Sequence, residues 1–424
     1  MGRWAALGGR PAGDRLLRMQ RSPQRVGDAF VNRWPVRNAT LTALTKWLRG
    51  APHREPTAPL PVVQRSAESL AGPPPAGPRV TWFGHSSVLV EVGGGRFLTD
   101  PVWSERASPS PRLGPKRFFA PPAALEDLPP LDAVVLSHDH FDHLDMPTVK
   151  ALAARPNGGR PMRFVAPLGV GAHLAAWGIA EERIEELDWW EHTVVAGVEL
   201  VCTPARHFSG RGLSDGNRTL WGSWVFRGAD HRVFFSGDSG MFPGFREIGQ
   251  RFGPSALTLI EAGAYDAAWA DVHLGPEQAL QAHRDLGGEL LVPIHWGTFN
   301  LALHAWTEPA ERLLVGAEVD AEVRRCPGPG RASTGWPPRR PRDGGPTRRG
   351  RPPRKRPSSP RGGATLAGSP QCDRPWSDAP AAVGAAFRDQ RTPRGNSPPR
   401  GTGSLAVDIC DSRHRVYIDE VHDH

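Results

Sequence analysis

From Arg79 to about Leu314 the chain is a series of short apolar runs broken by Gly, Asp and Pro. Runs of this length predict strands more readily than long helices. Val80–Val92 and Arg96–Thr99 flank Gly93, Gly94 and Gly95 and predict a β-hairpin. Asp132–Ser137, Arg163–Ala166, Val194–Thr203, Leu220–Arg227, Val233–Ser236, Leu257–Glu261 and Glu289–Ile294 predict further strands. Pro147 suits the first turn of a helix that would run through TVKALAAR, and Pro276–Leu286 predicts a second helix. Strands dominate first and strand–helix alternation follows, which favours a layered α/β domain over an all-β barrel. Upstream, Leu41, Leu44, Trp47 and Leu48 recur at helical spacing within Ala39–Leu48. A segment this short is expected to pack on the protein's own core, with contact to a membrane surface as the alternative.

Composition divides the chain into three. Residues 1–78 form an Arg- and Pro-rich arm and linker, 79–318 the catalytic body, and 319–424 a low-complexity tail expected to be disordered. Positions 326–400 hold 16 Pro, 11 Gly and 16 Arg/Lys against 4 Asp/Glu. That stretch carries +12 while the whole chain carries +8, so the remainder is net −4. The basic character belongs to the tail, and nothing marks the body as a polyanion-binding surface. Cys202, Cys326, Cys372 and Cys410 lie far apart, without the spacing of a thiolate zinc site or a disulfide framework. With no apolar run long enough to span a bilayer and no secretory-signal pattern at the start, a reducing, cytoplasmic setting is expected.

The candidate chemistry begins where one strand ends. After Asp132–Ser137 come His138, His140, Asp142 and His143, four potential ligands within six residues. A strand end and a tight loop can aim alternate side chains at one point, so His138 and His140 can share an ion while Asp142 and His143 reach a second. Imidazole nitrogen with carboxylate oxygen suits zinc, and also manganese or iron. The bland alternative is a His-rich surface loop, and the density of the cluster argues against it. The motif leaves two coordination shells short of ligands. His207, Asp238 and His295 each stand just after an apolar strand, where sites gather in layered α/β folds.

The segment HDHFDH, followed by a later His, Asp and His, resembles the HxHxDH signature of the metallo-β-lactamase superfamily. TWFGHSSVLVE, LWGSWVF, FFSGDSG, IGQRFGP, GAYDAAW and PIHWGTF make it similar to the branch containing N-acyl-phosphatidylethanolamine-hydrolysing phospholipase D and bacterial lactonase-like proteins. That resemblance covers about residues 79–314. It implies a four-layer αββα sandwich with two divalent metal ions, most readily zinc, at one edge of the sheets. It implies His138, His140 and His207 on one ion, Asp142, His143 and His295 on the other, and Asp238 bridging both. It also places His273 near the active site, where it either contacts substrate or caps the helix beginning near Pro276. With both shells filled, His85 is expected to orient backbone rather than bind metal.

Two ions held close together make a bound water reactive at neutral pH, and the expected reaction is attack of a metal-bridged hydroxide on a phosphodiester. Asp142 can double as a proton acceptor. The branch implies a small-molecule or lipid substrate, such as an N-acyl phospholipid, with peripheral membrane contact. A lactonase or other acyl hydrolase using the same metals is the nearest alternative. No GxSxG elbow marks a serine hydrolase. From another class, a nucleic-acid-binding protein using the basic tail is disfavoured, because the tail's aromatics are sparse and its charge has no helical spacing. Oligomeric state is not legible.

Overall fold

The computed structural model of the chain describes residues 5–37, 50–74 and 77–320 and two short strands, Ala332–Ser333 and Arg415–Val416. The amphipathic segment expected at Ala39–Leu48 and nearly all of the tail fall outside these residues. The chain divides into two units, of which residues 337–404 also lie outside them.

Sixteen strands are numbered in chain order. β1 (Arg25–Val26) and β2 (Ala29–Phe30) form a small hairpin. One sheet holds β3 (Arg79–Gly84), β4 (Ser87–Val92), β5 (Gly95–Thr99), β6 (Ala133–Val135), β7 (Arg163–Pro167) and β8 (Ile184–Leu187). The other holds β9 (His192–Val195), β10 (Val198–Thr203), β11 (Ser223–Arg227), β12 (Arg232–Phe235), β13 (Ser255–Glu261) and β14 (Gly288–Ile294). β15 (Ala332–Ser333) pairs with β3 and β16 (Arg415–Val416) with β14, so each sheet has seven strands. The first sheet is antiparallel from β3 to β5 and parallel from β5 to β8. The second is antiparallel from β9 to β12 and parallel from β12 to β14.

Both faces of each sheet are covered. Between the sheets, Val88, Val90 and Phe97 pack with Trp224, Phe226 and Phe235, all fully buried. Outside the first sheet, Leu89, Leu98, Val134 and Phe164 meet Val149 and Leu152 of the helix Met146–Ala154 and Leu174 of Gly171–Ala176. Outside the second, Phe234, Ile260 and Leu291 meet Phe245 and Ile248 of Gly244–Phe252 and Ala279 and Leu280 of Pro276–Asp285. The strands are therefore apolar on both sides, as parallel sheets covered by helices require. This is the layered α/β domain the run pattern predicts and the four-layer αββα sandwich the resemblance implies.

The structure corrects the strand map at two turns. Val80–Val92 is two strands, broken where Gly84 (φ +108°) and His85 (φ +53°) take left-handed backbone. Val194–Thr203 is likewise two, broken at Ala196 (φ +50°) and Gly197 (φ +78°), a turn that reverses the chain into a hairpin.

Trp224 joins the two sheets at the site's edge: its indole donates to the carbonyl of Leu136 at 2.9 Å, one residue before Ser137 and the histidine loop. Trp224→Phe is expected to keep the packing, lose this bond and lower stability by about 1–3 kcal/mol, read by urea denaturation.

The N-terminal residues are part of this body. Met19 and Phe30 are fully buried in the core between the sheets. Arg15 pairs with Glu186 and Glu181, and the Trp177 indole donates to Ala5 O at 2.7 Å. Gly8 lies so close to the His173 ring that a Cβ there would stand 2.0 Å from its Nδ1, so no larger residue fits without displacement.

Candidate metal centre

All seven residues singled out as ligands converge at one edge of the two sheets. His138 Nε2 lies 2.9 Å from His140 Nδ1, which lies 3.3 Å from His207 Nε2. Beside this trio, Asp142 Oδ2 stands 3.5 Å from both His143 Nε2 and His295 Nε2. Asp238 sits between the groups: its Oδ2 is 3.1 Å from His143 Nε2 and from His295 Nε2, 3.7 Å from His207 Nε2 and 3.9 Å from His138 Nε2. The strand ends account for the convergence. The His138–His143 loop follows β6, His207 follows β10, Asp238 follows β12 and His295 follows β14.

On three of the histidines the outward nitrogen is occupied, which fixes the inward one. His143 Nδ1 donates to Asp100 Oδ2 at 2.7 Å, and His207 Nδ1 to Val272 O at 2.9 Å. His138 Nδ1 faces Ser137 Oγ at 2.9 Å, and that hydroxyl donates to Asp100. Each ring thereby turns Nε2 toward the centre, as histidine ligands held by outer partners do. Two inward atoms lack such partners: His143 Nε2 and His295 Nε2 are buried and make no hydrogen bond, and neither does the second oxygen of Asp238, Oδ1. An unmet buried polar atom costs about 1–3 kcal/mol. Several converging on one space, with nitrogen and carboxylate donors, fit divalent cations.

Electrostatics point the same way. Burial opposes a charge on His143 and His295, yet Asp238 and Asp142 outweigh it, holding His143 well above the usual imidazole value and His295 at about 10. Burial also opposes ionisation of Asp142 and Asp238, but the facing His143 keeps both well below the usual carboxylate range. Burial with neighbouring imidazoles keeps His138 well below its ordinary value, and burial with His140 and His273 does the same for His207 despite Asp238. Cations at these atoms would compete with protons for the same imidazole nitrogens.

Sequence reasoning missed Asp100 and Glu261, although both end apolar strands and so carry the signal that picked out Asp238 and His295. Asp100 orients the loop histidines. Glu261, fully buried, accepts from His273 Nδ1 at 2.8 Å. His85 does more than orient backbone: its carbonyl accepts from His295 N at 3.0 Å, and its buried ring donates from Nε2 to Asp142 Oδ2 at 2.9 Å. Burial and His295 push the His85 ring down to about 3, against the pull of Asp142. His273 does not cap the neighbouring helix, where the Gln278 side chain accepts from Gly275 N. It lines a cavity of about 280 Å³ with His140, Asp142, Asp238 and His295. Phe208, Ala264, Ala268, Trp269, Val272 and Leu301 complete the lining of that cavity, with the Phe208 ring packed beside His140 and His207.

A family model described as a beta-lactamase superfamily domain matches residues 95–296. An N-acyl-phosphatidylethanolamine-hydrolyzing phospholipase D of Caenorhabditis elegans is 39% identical over 57% of this chain and 70% of its own length. The chain belongs to the metallo-β-lactamase superfamily. An uncharacterized protein of Mycobacterium tuberculosis is 48% identical over 77% of this chain and 88% of its own. Among solved structures, a metallo hydrolase from Ignicoccus hospitalis aligns with 60% of this chain and 97% of its own at 23% identity and a TM-score of 0.45. No helix among the described residues is long and apolar enough to cross a membrane.

Proposed function

We propose that this metal-dependent hydrolase cleaves a phosphodiester, in the manner of a phospholipase D acting on an N-acyl phospholipid. The observation that carries the reading is the cavity, whose lining joins the His/Asp cluster to the apolar side chains of Phe208, Trp269, Val272 and Leu301. Such a lining suits a substrate whose charged group meets the cluster while a hydrocarbon portion lies against the ring faces. The nematode phospholipase's 39% identity supports the same substrate class.

In this reading His138, His140 and His207 would hold one divalent cation, Asp142, His143 and His295 a second, and Asp238 would lie between them. The cations, most readily zinc, supply a reactive water and positive charge for the anionic transition state. The chain's own residues do the rest. Asp100 and Val272 O hold the imidazoles in register, Phe208 and Trp269 exclude bulk water, and His273 faces the substrate beside the cluster. Asp142, which lines the same cavity, would serve as a proton acceptor.

Purified protein loaded with zinc, manganese or iron is expected to hydrolyse an N-acyl phosphatidylethanolamine to phosphatidic acid and the N-acylethanolamine, while leaving a lactone largely intact. Mass spectrometry of the products checks this. Turnover of the lactone alone would end the phosphodiesterase reading and favour an acyl hydrolase.

A further inference from the structure

Glu261 is a carboxylate with no exposed surface, at the end of β13, and nothing in the ligand scheme uses it. Its two oxygens have separate tasks. Oε1 accepts from two backbone amides, Ser239 N at 2.5 Å and Leu274 N at 3.2 Å. Those amides follow Asp238 and His273 directly. Oε2 accepts from His273 Nδ1 at 2.8 Å and lies 3.8 Å from His295 Nδ1. One side chain therefore ties the segment carrying Asp238 to the segment carrying His273, then grips the His273 ring itself.

The consequence for His273 is a matter of which nitrogen does what. A carboxylate at Nδ1 keeps the proton there and fixes the ring plane, which leaves Nε2 as the nitrogen presented to the cavity. His273 is partly exposed and lines that cavity beside His140, Asp142, Asp238 and His295. We propose that Glu261 is a positioning residue that holds His273 with its proton on Nδ1, so that Nε2 offers a lone pair to an O–H or N–H on the substrate side of the site. This rests on the reading above in one respect, the placing of substrate in that cavity. The arrangement follows the logic by which a buried carboxylate sets the tautomer of a catalytic histidine.

Glu261→Gln tests this with little change of shape. The amide oxygen can keep the two backbone bonds, and the amide nitrogen then faces His273 Nδ1 as a donor. The ring must move its proton to Nε2, turning an acceptor toward substrate into a donor. Nitrogen-15 NMR of histidine-labelled protein is expected to report the Nδ1–H form of His273 in the native chain and the Nε2–H form in Glu261→Gln. No substrate is needed for that measurement, so it stands even if the phosphodiester reading fails. Where turnover is measured, Glu261→Gln is expected to lower kcat/KM by on the order of 10²-fold with metal content unchanged. In a His273→Ala background the same change is expected to cost almost nothing further, since the two residues act as a unit.

His273→Asn gives an independent arm, because its amide N–H can still reach Glu261 while Nε2 is gone. It should match His273→Ala in activity yet keep native thermal stability. An Nε2–H ring in the native chain overturns the proposal. So does equal loss from Glu261→Gln with and without His273, or loss of metal on that substitution, either of which would make Glu261 a support for the fold or the cation site instead.

Discussion

Asp238→Ala is expected to reduce hydrolysis by about 10³-fold or more and to lower bound metal below two ions per chain. The reason is position. Asp238 Oδ2 is within 4 Å of Nε2 on His138, His143, His207 and His295, so one carboxylate serves both groups of candidate ligands. In the two-cation reading proposed above, removing it would take away the negative charge between the cation positions and leave their mutual repulsion unshielded. Asp238→Asn, which keeps the volume but loses the charge, is expected to behave similarly, and this separates electrostatics from packing. Metal content by elemental analysis and turnover of the phosphodiester are the two readouts, with circular dichroism showing that the fold persists. Full metal content together with near-native activity would remove Asp238 from the centre.

Arg211→Leu is expected to lower stability by about 3–5 kcal/mol, with weaker metal retention as a second symptom. The Arg211 guanidinium is buried, and burial lowers its affinity for a proton to about 10 even though Asp139 and Asp145 oppose this, so it stays charged at neutral pH. It donates to Asp139 O within the histidine loop, to Leu144 O just after it, and to Ala6 O at 3.0 and 2.8 Å. Its face covers the Phe141 ring at 4.1 Å. Leucine would fill part of the volume but leave three carbonyls without donors. Arg211→Lys is expected to recover little, because a single ammonium cannot span the same acceptors as a planar fork. Guanidinium denaturation and a competitive chelator titration measure the two effects. An unchanged unfolding midpoint would show that the loop is braced by other means.

Much of this architecture was legible because a local signal and a tertiary role coincided. An apolar run ending in a polar residue marks a strand whose end reaches the sheet edge, and His207, Asp238 and His295 were found on that basis. The helices beginning near Met146 and Pro276 were legible from proline at a first turn. What was missed depends on partners distant in sequence. Gly171–Ala176 and Gly244–Phe252 are short helices whose stability comes from the sheets they cover. The turn at His85 is set by Thr298 Oγ1 accepting its amide and by His295 donating to its carbonyl, neither of which is visible within GHSS. Residues 5–37 read as a polar arm because their ion pairs, such as Arg15 with Glu186, become evident only once the chain has folded.

The bond between Arg211 and Ala6 also dictates an order of assembly. Ala6 leaves the ribosome 205 positions ahead of the side chain that will hold it, and Trp177, which holds the neighbouring Ala5, is 172 residues after that residue. During synthesis the N-terminal segment can meet Trp177 and Glu186 before β10 exists, but the Arg211 brace on the histidine loop comes only after β10. The brace on the histidine loop is thereby tied to completion of β3 to β8 and the hairpin of β9 and β10, and a shorter chain would present His138, His140 and His143 without it.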